Sequence, residues 1–204
     1  MLSELRQSIS KRLSSARFAH TLSVEREARR MAEILLPHKT LELCAAALLH
    51  DLTKEMSLDD HLEIMQRHRV TCSDEARLGG AVLHGFTAAA VISEQFPLFA
   101  RKEILSAVRK HTVGDHEMSV FDKILFLADY IEQTRTYPDC VSLRESFWSR
   151  ITSIGKEGRE AALNSAVYTE IRQTISHLLK KGAVIAPESL ALYNRMSRCK
   201  DWQG

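Results

Sequence analysis

Glycine and proline are scarce: eight and four in 204 residues, about half the combined level of roughly 12% usual in globular chains. Aromatic residues make up only 6%. A sandwich or barrel needs frequent turns and many aromatic or β-branched strand residues, so an all-β architecture is disfavoured. Cys44, Cys72, Cys140 and Cys199 lie at least 28 residues apart. Without a CxxC pair there is no zinc ribbon, zinc finger or thioredoxin-type redox site. A GxGxxG or P-loop sequence is also missing, so a nucleotide would have to be held in another way. No uninterrupted apolar run approaches the ~20 residues that span a bilayer. The charged, amphipathic start, Met1–Lys11, has no apolar stretch of the signal-peptide kind. A reduced, cytoplasmic compartment is therefore expected. Strong charge is lacking too. A net charge of +2 and a pI of about 8.4 do not indicate a nucleic-acid binder.

What is present is Ala, Leu, Ile and Val. An apolar share of 45% against 26% charged residues places the chain among folded globular proteins rather than disordered ones. Helices are predicted at about 2–13, 17–35, 40–52, 58–69, 80–95, 100–111, 119–133, 139–154, 159–181 and 188–200. Val24, Ala28, Met31, Ala32 and Leu35 recur at helical spacing, and Pro37 stops that run. Ser57 with Asp60, Ser119 with Asp122 and Ser142 with Glu145 have the spacing of capping boxes. Lys180-Lys181-Gly182 ends a helix, and Pro187-Glu188 starts the next. No segment alternates long enough to be a strand, and no linker divides the chain. The expected fold is a single all-α domain over 1–204, a bundle of about nine or ten helices. Its motif-bearing core is about 13–135, with helices in 139–200 packed on it.

Histidine is the one unusual count, nine in all. Five segments stand out: Arg17-Phe18-Ala19-His20, Leu48-Leu49-His50-Asp51, Leu83-His84-Gly85, Lys110-His111-Thr112 and Leu127-Ala128-Asp129-Tyr130. Four of them put a His or Asp at the end of an apolar helical stretch, rooted on a rigid element. An ionised aspartate beside Ala45-Ala46-Ala47-Leu48-Leu49 is costly to bury without a cation or hydrogen bonds. Imidazole with carboxylate suits manganese, iron, zinc or nickel. His38 falls in a turn. His61 and His68 read as exposed on a polar helix. His116 is a loop residue, and His177 reads as structural.

The ordered set H…HD…H…H…D resembles the HD-domain superfamily of metal-dependent phosphohydrolases. It is most similar to the YqeK-type branch, the symmetrical bis(5′-nucleosyl)-tetraphosphatases. Arg17–Leu22, Ala47–Glu55, Leu83–Gly85, Lys110–Gly114 and Leu127–Glu132 resemble its motifs in order. The likeness runs from about residue 13 to residue 195. Thr53 stands where a smaller residue is commoner, and Arg69–Leu78 departs from the pattern.

The resemblance implies hydrolysis of diadenosine tetraphosphate to two ADP. It implies a divalent metal held by His20, His50, Asp51 and Asp129, with iron the first choice and manganese the alternative. One ion is favoured, and a second would involve His84 and His111. His50, Asp51, His84 and His111 form the implied catalytic set. Substrate contacts are expected from Arg17, Lys54, His84, His111, Arg135, Arg172 and Thr174. The implied partner is a dinucleoside polyphosphate or ADP, with no nucleic acid and no membrane. A homodimer is among the expectations. Another HD-type nucleotide phosphohydrolase is the nearest competing reading; Lys54-Glu55 and Asp129–Glu132 favour the tetraphosphatase branch. A non-catalytic nucleotide-binding regulator and a helical bundle that docks a protein are further alternatives. The ordered His/Asp set is unexplained by the last.

Overall fold

The computed structural model describes residues 1–198. Among these, every regular element is helical. The helices are α1 (Leu2–Ser10), α2 (Ser15–Leu35), α3 (Thr40–Leu49), α4 (Leu58–His68), α5 (Asp74–Gly79) and α6 (Leu83–Gln95). They continue with α7 (Lys102–Lys110), α8 (Val120–Ile131), α9 (Pro138–Ser153), α10 (Arg159–Lys180) and α11 (Pro187–Arg198). The expected end of the last helix at 200, and Cys199, lie outside the described residues. None of the described helices is long and apolar enough to cross a membrane.

Helix α3 is the centre of the bundle and packs against α1, α2, α7 and α8. Every residue from Leu43 to Leu49 is buried. Ten residues are too few for a stable isolated helix. Burial holds it instead, at roughly 1.5–3 kcal/mol for each fully buried leucine such as Leu48 or Leu49. Ala45, Ala46 and Ala47 keep the helix thin. On α2 the buried face is Val24, Ala28, Met31 and Ala32, the stripe seen in the sequence. The Ser14 hydroxyl caps α2 by accepting from Arg17 N at 3.2 Å. The capping boxes of Ser57 with Asp60 and Ser119 with Asp122 both form.

Three local expectations are corrected. Ser142 lies inside α9, which starts at Pro138 with proline in its first turn, so Ser142 with Glu145 starts no helix. A short helix, α5, occupies Asp74–Gly79, capped by the Ser73 hydroxyl, and α6 begins only at Leu83. This raises the number of α-helices to eleven among the described residues. His61 is buried rather than exposed, because the turn after α3 folds α4 back against α6. On the far side, α10 packs on α8, α9 and α11. His177 projects from it as an exposed residue.

Candidate metal centre

Five helices deliver side chains to one place. His20 comes from α2 and His84 from the first turn of α6. His50 and His111 each occupy the residue that closes a helix, α3 and α7. Asp51 follows His50, and Asp129 lies in the last turn of α8. Helix C-termini have unused carbonyls, and these fix two of the imidazoles, while a loop carbonyl and a carboxylate fix the others. His50 Nδ1 lies 2.6 Å from the Ala47 carbonyl oxygen, His111 Nδ1 2.6 Å from that of Val108, and His84 Nδ1 2.9 Å from that of Ala81. His20 Nδ1 lies 3.1 Å from Glu132 Oε1. In each case Nδ1–H donates outward, so that the neutral ring turns its Nε2 lone pair inward.

The four Nε2 atoms surround one carboxylate. Asp51 Oδ2 lies 3.3 Å from His50 Nε2 and 3.6 Å from His20 Nε2. Asp51 Oδ1 lies 3.2 Å from His84 Nε2 and 3.7 Å from His111 Nε2. Asp129 Oδ1 closes the first side, 3.0 Å from His20 Nε2. His50 is fully buried, and Asp51 is 3% exposed. The Nε2 atoms of His20 and His50 are buried without a hydrogen-bond partner. Buried polar atoms are rarely left this way unless something else binds them. Ligand atoms of His20, His50 and Asp129 lie within 4.8 Å of one another, as do those of His50, Asp51 and His111. Bonds of roughly 2.0–2.2 Å to one ion put opposite ligand atoms about 4 Å apart. The donor set therefore fits a metal ion, with Asp51 able to face two positions at once.

This constellation has a family. Residues 17–134, more than half of the chain, match the HD domain. The chain belongs to the HD domain family. It is 30% identical over 191 residues to the symmetrical bis(5′-nucleosyl)-tetraphosphatase of Halalkalibacterium halodurans, covering 93% of this chain and 94% of that one. The Staphylococcus aureus protein of the same name is 26% identical, covering 94% and 88%. A solved structure from Clostridium acetobutylicum, described as a predicted HD superfamily hydrolase involved in NAD metabolism, superposes with a TM-score of 0.83. The match covers 98% of each chain at 24% identity, and it shows the fold. HD domain hydrolases are metal-dependent, in keeping with the His and Asp groups gathered here.

Electrostatics in the HD centre separates its members. Burial opposes charge on both carboxylates. Asp51 is nevertheless held well below the usual carboxylate range by His50, His111 and His84. Asp129 is held low chiefly by Arg135, then by His20 and His50. Burial also opposes charge on His20, but Asp129 and Glu132 outweigh it and push the imidazole up to about 9. His84 goes the other way, to about 4, because burial dominates over its contact with Asp51. Its Nε2 lies 3.0 Å from that of His111, and Thr112 Oγ1 lies 3.1 Å from each. Gly85 permits this approach: a Cβ there would sit 3.1 Å from the Arg109 carbonyl oxygen and 3.3 Å from Thr112 Oγ1.

Two arginines border the HD centre. Arg17 Nη1 donates to Asp51 Oδ2 at 2.8 Å, and Arg135 Nη2 to Asp129 Oδ1 at 2.8 Å. Lys54 Nζ lies 3.3 Å from the Ala81 carbonyl oxygen and from His84 Nδ1. A cavity of about 160 Å³ opens onto Asp51, His84, His111 and Asp129, with Lys54 and Thr174 also on its wall. A second depression of about 260 Å³ lies beside His20 and Glu132. Arg17 and Arg135 line both. A larger hollow of about 460 Å³, beside Lys110 and Leu192, has none of the candidate ligands on its wall. Arg172 is exposed, its guanidinium 5.5 Å above the Tyr168 ring, and is not on the wall of the HD cavity.

Several groups at the HD site had no role in the sequence reading. Glu132 is fully buried, and Thr134 donates to it from N and Oγ1. Arg144 donates to the carbonyls of Ile131, Glu132 and Arg135, closing the end of α8 and fixing the segment that carries Arg135. Thr53, the departure from the family pattern, donates to the His84 carbonyl at 3.1 Å and lies 2.9 Å from the Thr87 hydroxyl. Glu170 on α10 reaches the cavity wall. Burial, then the charge of Asp129, raises its carboxyl well above the ordinary value. Glu132 adjoins Asp129 in a quoted motif and could have been suspected. Arg144 and Glu170 have no local signal.

Proposed function

We propose that this chain is a metal-dependent symmetrical bis(5′-nucleosyl)-tetraphosphatase that splits diadenosine tetraphosphate into two ADP. The observation that carries the reading is the HD cluster bordered by Arg17 and Arg135, an arginine pair that lines both the cavity over the cluster and the depression beside His20. A polyphosphate lying across the pair would put its central bridge at the cluster and one nucleoside end toward each depression. The relatives named for this activity align over nearly the whole chain and support it.

His20, His50, Asp51 and Asp129 would hold the principal ion, with iron first and manganese the alternative. Asp51 Oδ1 with His111 offers a second position. A bound divalent ion supplies Lewis-acid polarisation of the phosphoryl oxygen and a water of lowered pKa. The chain does the rest. Arg17, Lys54 and Arg135 orient the phosphates and offset their charge. His84 and His111 face the phosphate; either takes up the attacking water's proton at its inward Nε2 and returns it to the departing ADP. Water adds to one central phosphorus, the bridging P–O bond breaks, and each half leaves as a nucleoside diphosphate. Thr174 lies on the nucleoside side of the cavity; a contact from Arg172 would require its guanidinium to leave Tyr168.

A cytoplasmic setting accords with the free thiols of Cys44, Cys72 and Cys140. Homodimer formation is checked by light scattering on eluted protein. For activity, protein loaded with ferrous iron or manganese should yield ADP as the sole nucleotide product. AMP with ATP would show asymmetric cleavage and overturn the assignment. Asp51→Asn should lower kcat by roughly 10³-fold or more, a loss of about 4 kcal/mol of transition-state stabilisation.

A further inference from the structure

Glu170 is the one carboxyl on the cavity wall outside the metal cluster. It is 4% exposed, and its Oε2 has no hydrogen-bond partner. Its neighbours on the buried face of α10 are Leu163, Ala166, Val167 and Ile171, so packing alone would be served by an apolar side chain. A buried acceptor without a donor is destabilising, and on a side chain that lines a cavity it points to a donor that a ligand brings once the carboxyl turns toward it.

The other charged groups around the cavity limit what that donor is. Arg17, Lys54 and Arg135 suit phosphate oxygens, which offer no hydrogens. Glu170 brings no positive charge to phosphate, and its unpartnered oxygen is an acceptor that suits a hydroxyl. A nucleoside polyphosphate carries donors only on its sugar and base. Moving outward from the metal cluster, the sugar comes after the phosphates and before the base. A volume of about 160 Å³ is below the roughly 300–1,000 Å³ that encloses a whole ligand. The cavity thus takes the inner end of one nucleotide half. Thr174, four residues on, shares the cavity-facing side of α10.

We infer that Glu170 reads the sugar: its free carboxyl oxygen accepts a hydrogen bond from a ribose hydroxyl of one nucleoside half, with Thr174 beside it. This rests on the nucleotide reading above and makes one side chain the source of a preference for ribonucleotides.

The test measures binding by calorimetry on metal-loaded protein, with ADP, its 2′-deoxy and 3′-deoxy forms, and GDP. The wild type should bind ADP at least about fivefold more tightly than one of the deoxy forms, the scale of a single hydrogen bond to an uncharged acceptor. Glu170→Ala should bring that ratio to within about twofold, and Glu170→Gln, which keeps an acceptor, should retain part of it. The same ratios should appear in kcat/KM for ribose and deoxyribose tetraphosphates, with ADP still the product of Glu170→Ala. Equal binding of all the sugars by the wild type, or a ratio that survives Glu170→Ala, overturns the inference and leaves the nucleotide reading standing. Sensitivity to the base without sensitivity to the sugar assigns a base amine to Glu170 and also overturns it. Failure to bind any of the nucleotides removes both. Glu170→Ala should melt at or above the wild-type temperature, since the unpartnered buried carboxyl is removed. Lower melting of that variant, with ADP and its deoxy forms weakened alike, marks a structural role and overturns the inference.

Discussion

Glu132 is a second carboxylate behind His20, and it acts on the imidazole rather than on the centre itself. Fully buried and held by Thr134, it stays ionised at neutral pH, its value lowered to about 2. Burial opposes that shift; His20, Ser23 and Thr134 overcome it. By accepting from Nδ1–H it fixes the His20 ring and tautomer. Glu132→Gln preserves the shape and removes the charge. Loss of such an orienting partner typically weakens metal affinity by 10–100-fold, so a chelator competition should show a fall in that range. Unchanged affinity would mean that the Asp129 and Asp51 contacts alone position His20. His50, His111 and Asp129 stood out as candidates because they sit where apolar helices end, a pattern visible without tertiary contacts, whereas His20, inside α2, and His84, at the start of α6, needed the order of the motifs. Glu170 was not legible. Arg172, only two residues away, is turned about 200° around the helix and lies exposed. A linear reading cannot choose between them until the face of α10 that meets α8 is known.

The helices were legible where their ends carry side-chain chemistry. Ser57 with Asp60 and Ser119 with Asp122 gave α4 and α8 correctly. Ser142 with Glu145 has the same spacing but lies inside a helix that Pro138 had already started. Helix α5, six residues long, is too short for periodicity to show. The error over His61 has a tertiary cause. Its Nδ1 lies 2.9 Å from the Thr87 hydroxyl, which in turn meets Thr53, so an apparently polar face of α4 is clamped onto α6 behind His84. Burial holds His61 below its ordinary value, with Asp60 raising it and Lys54 lowering it. The unfolded chain therefore binds this proton at a higher pH than the folded one. The stability of this clamp is present above about pH 6.5, the ordinary histidine value, and is lost as pH falls through the lower folded-state value. His61→Asn removes the titration. Denaturant unfolding of both proteins between pH 8 and 5 should show the wild-type advantage shrinking below about 6.5. A constant difference would contradict the assignment.

At the scale of the molecule, the cluster joins chain segments from His20 to Asp129 that only the folded bundle brings together. A ligand that requires all of them binds the folded state and not the unfolded chain. Metal at 100 times its dissociation constant would add about 2.7 kcal/mol. For a chain of this size that is roughly 5–10 °C in melting temperature. Thermal melts with manganese and with chelator should differ by about that amount. Equal melts would contradict a resident ion at these residues.

Asp51 has a different consequence at the same scale. Its two oxygens divide four imidazoles between them, two on each side. Each imidazole therefore faces a carboxylate that the other three also face. Defects in such an arrangement do not accumulate independently. Once Asp51 is gone, losing His84 or His50 as well removes little more, and the combined variant behaves much like the single one. In genetic terms the five residues, scattered along the chain, form one unit of function.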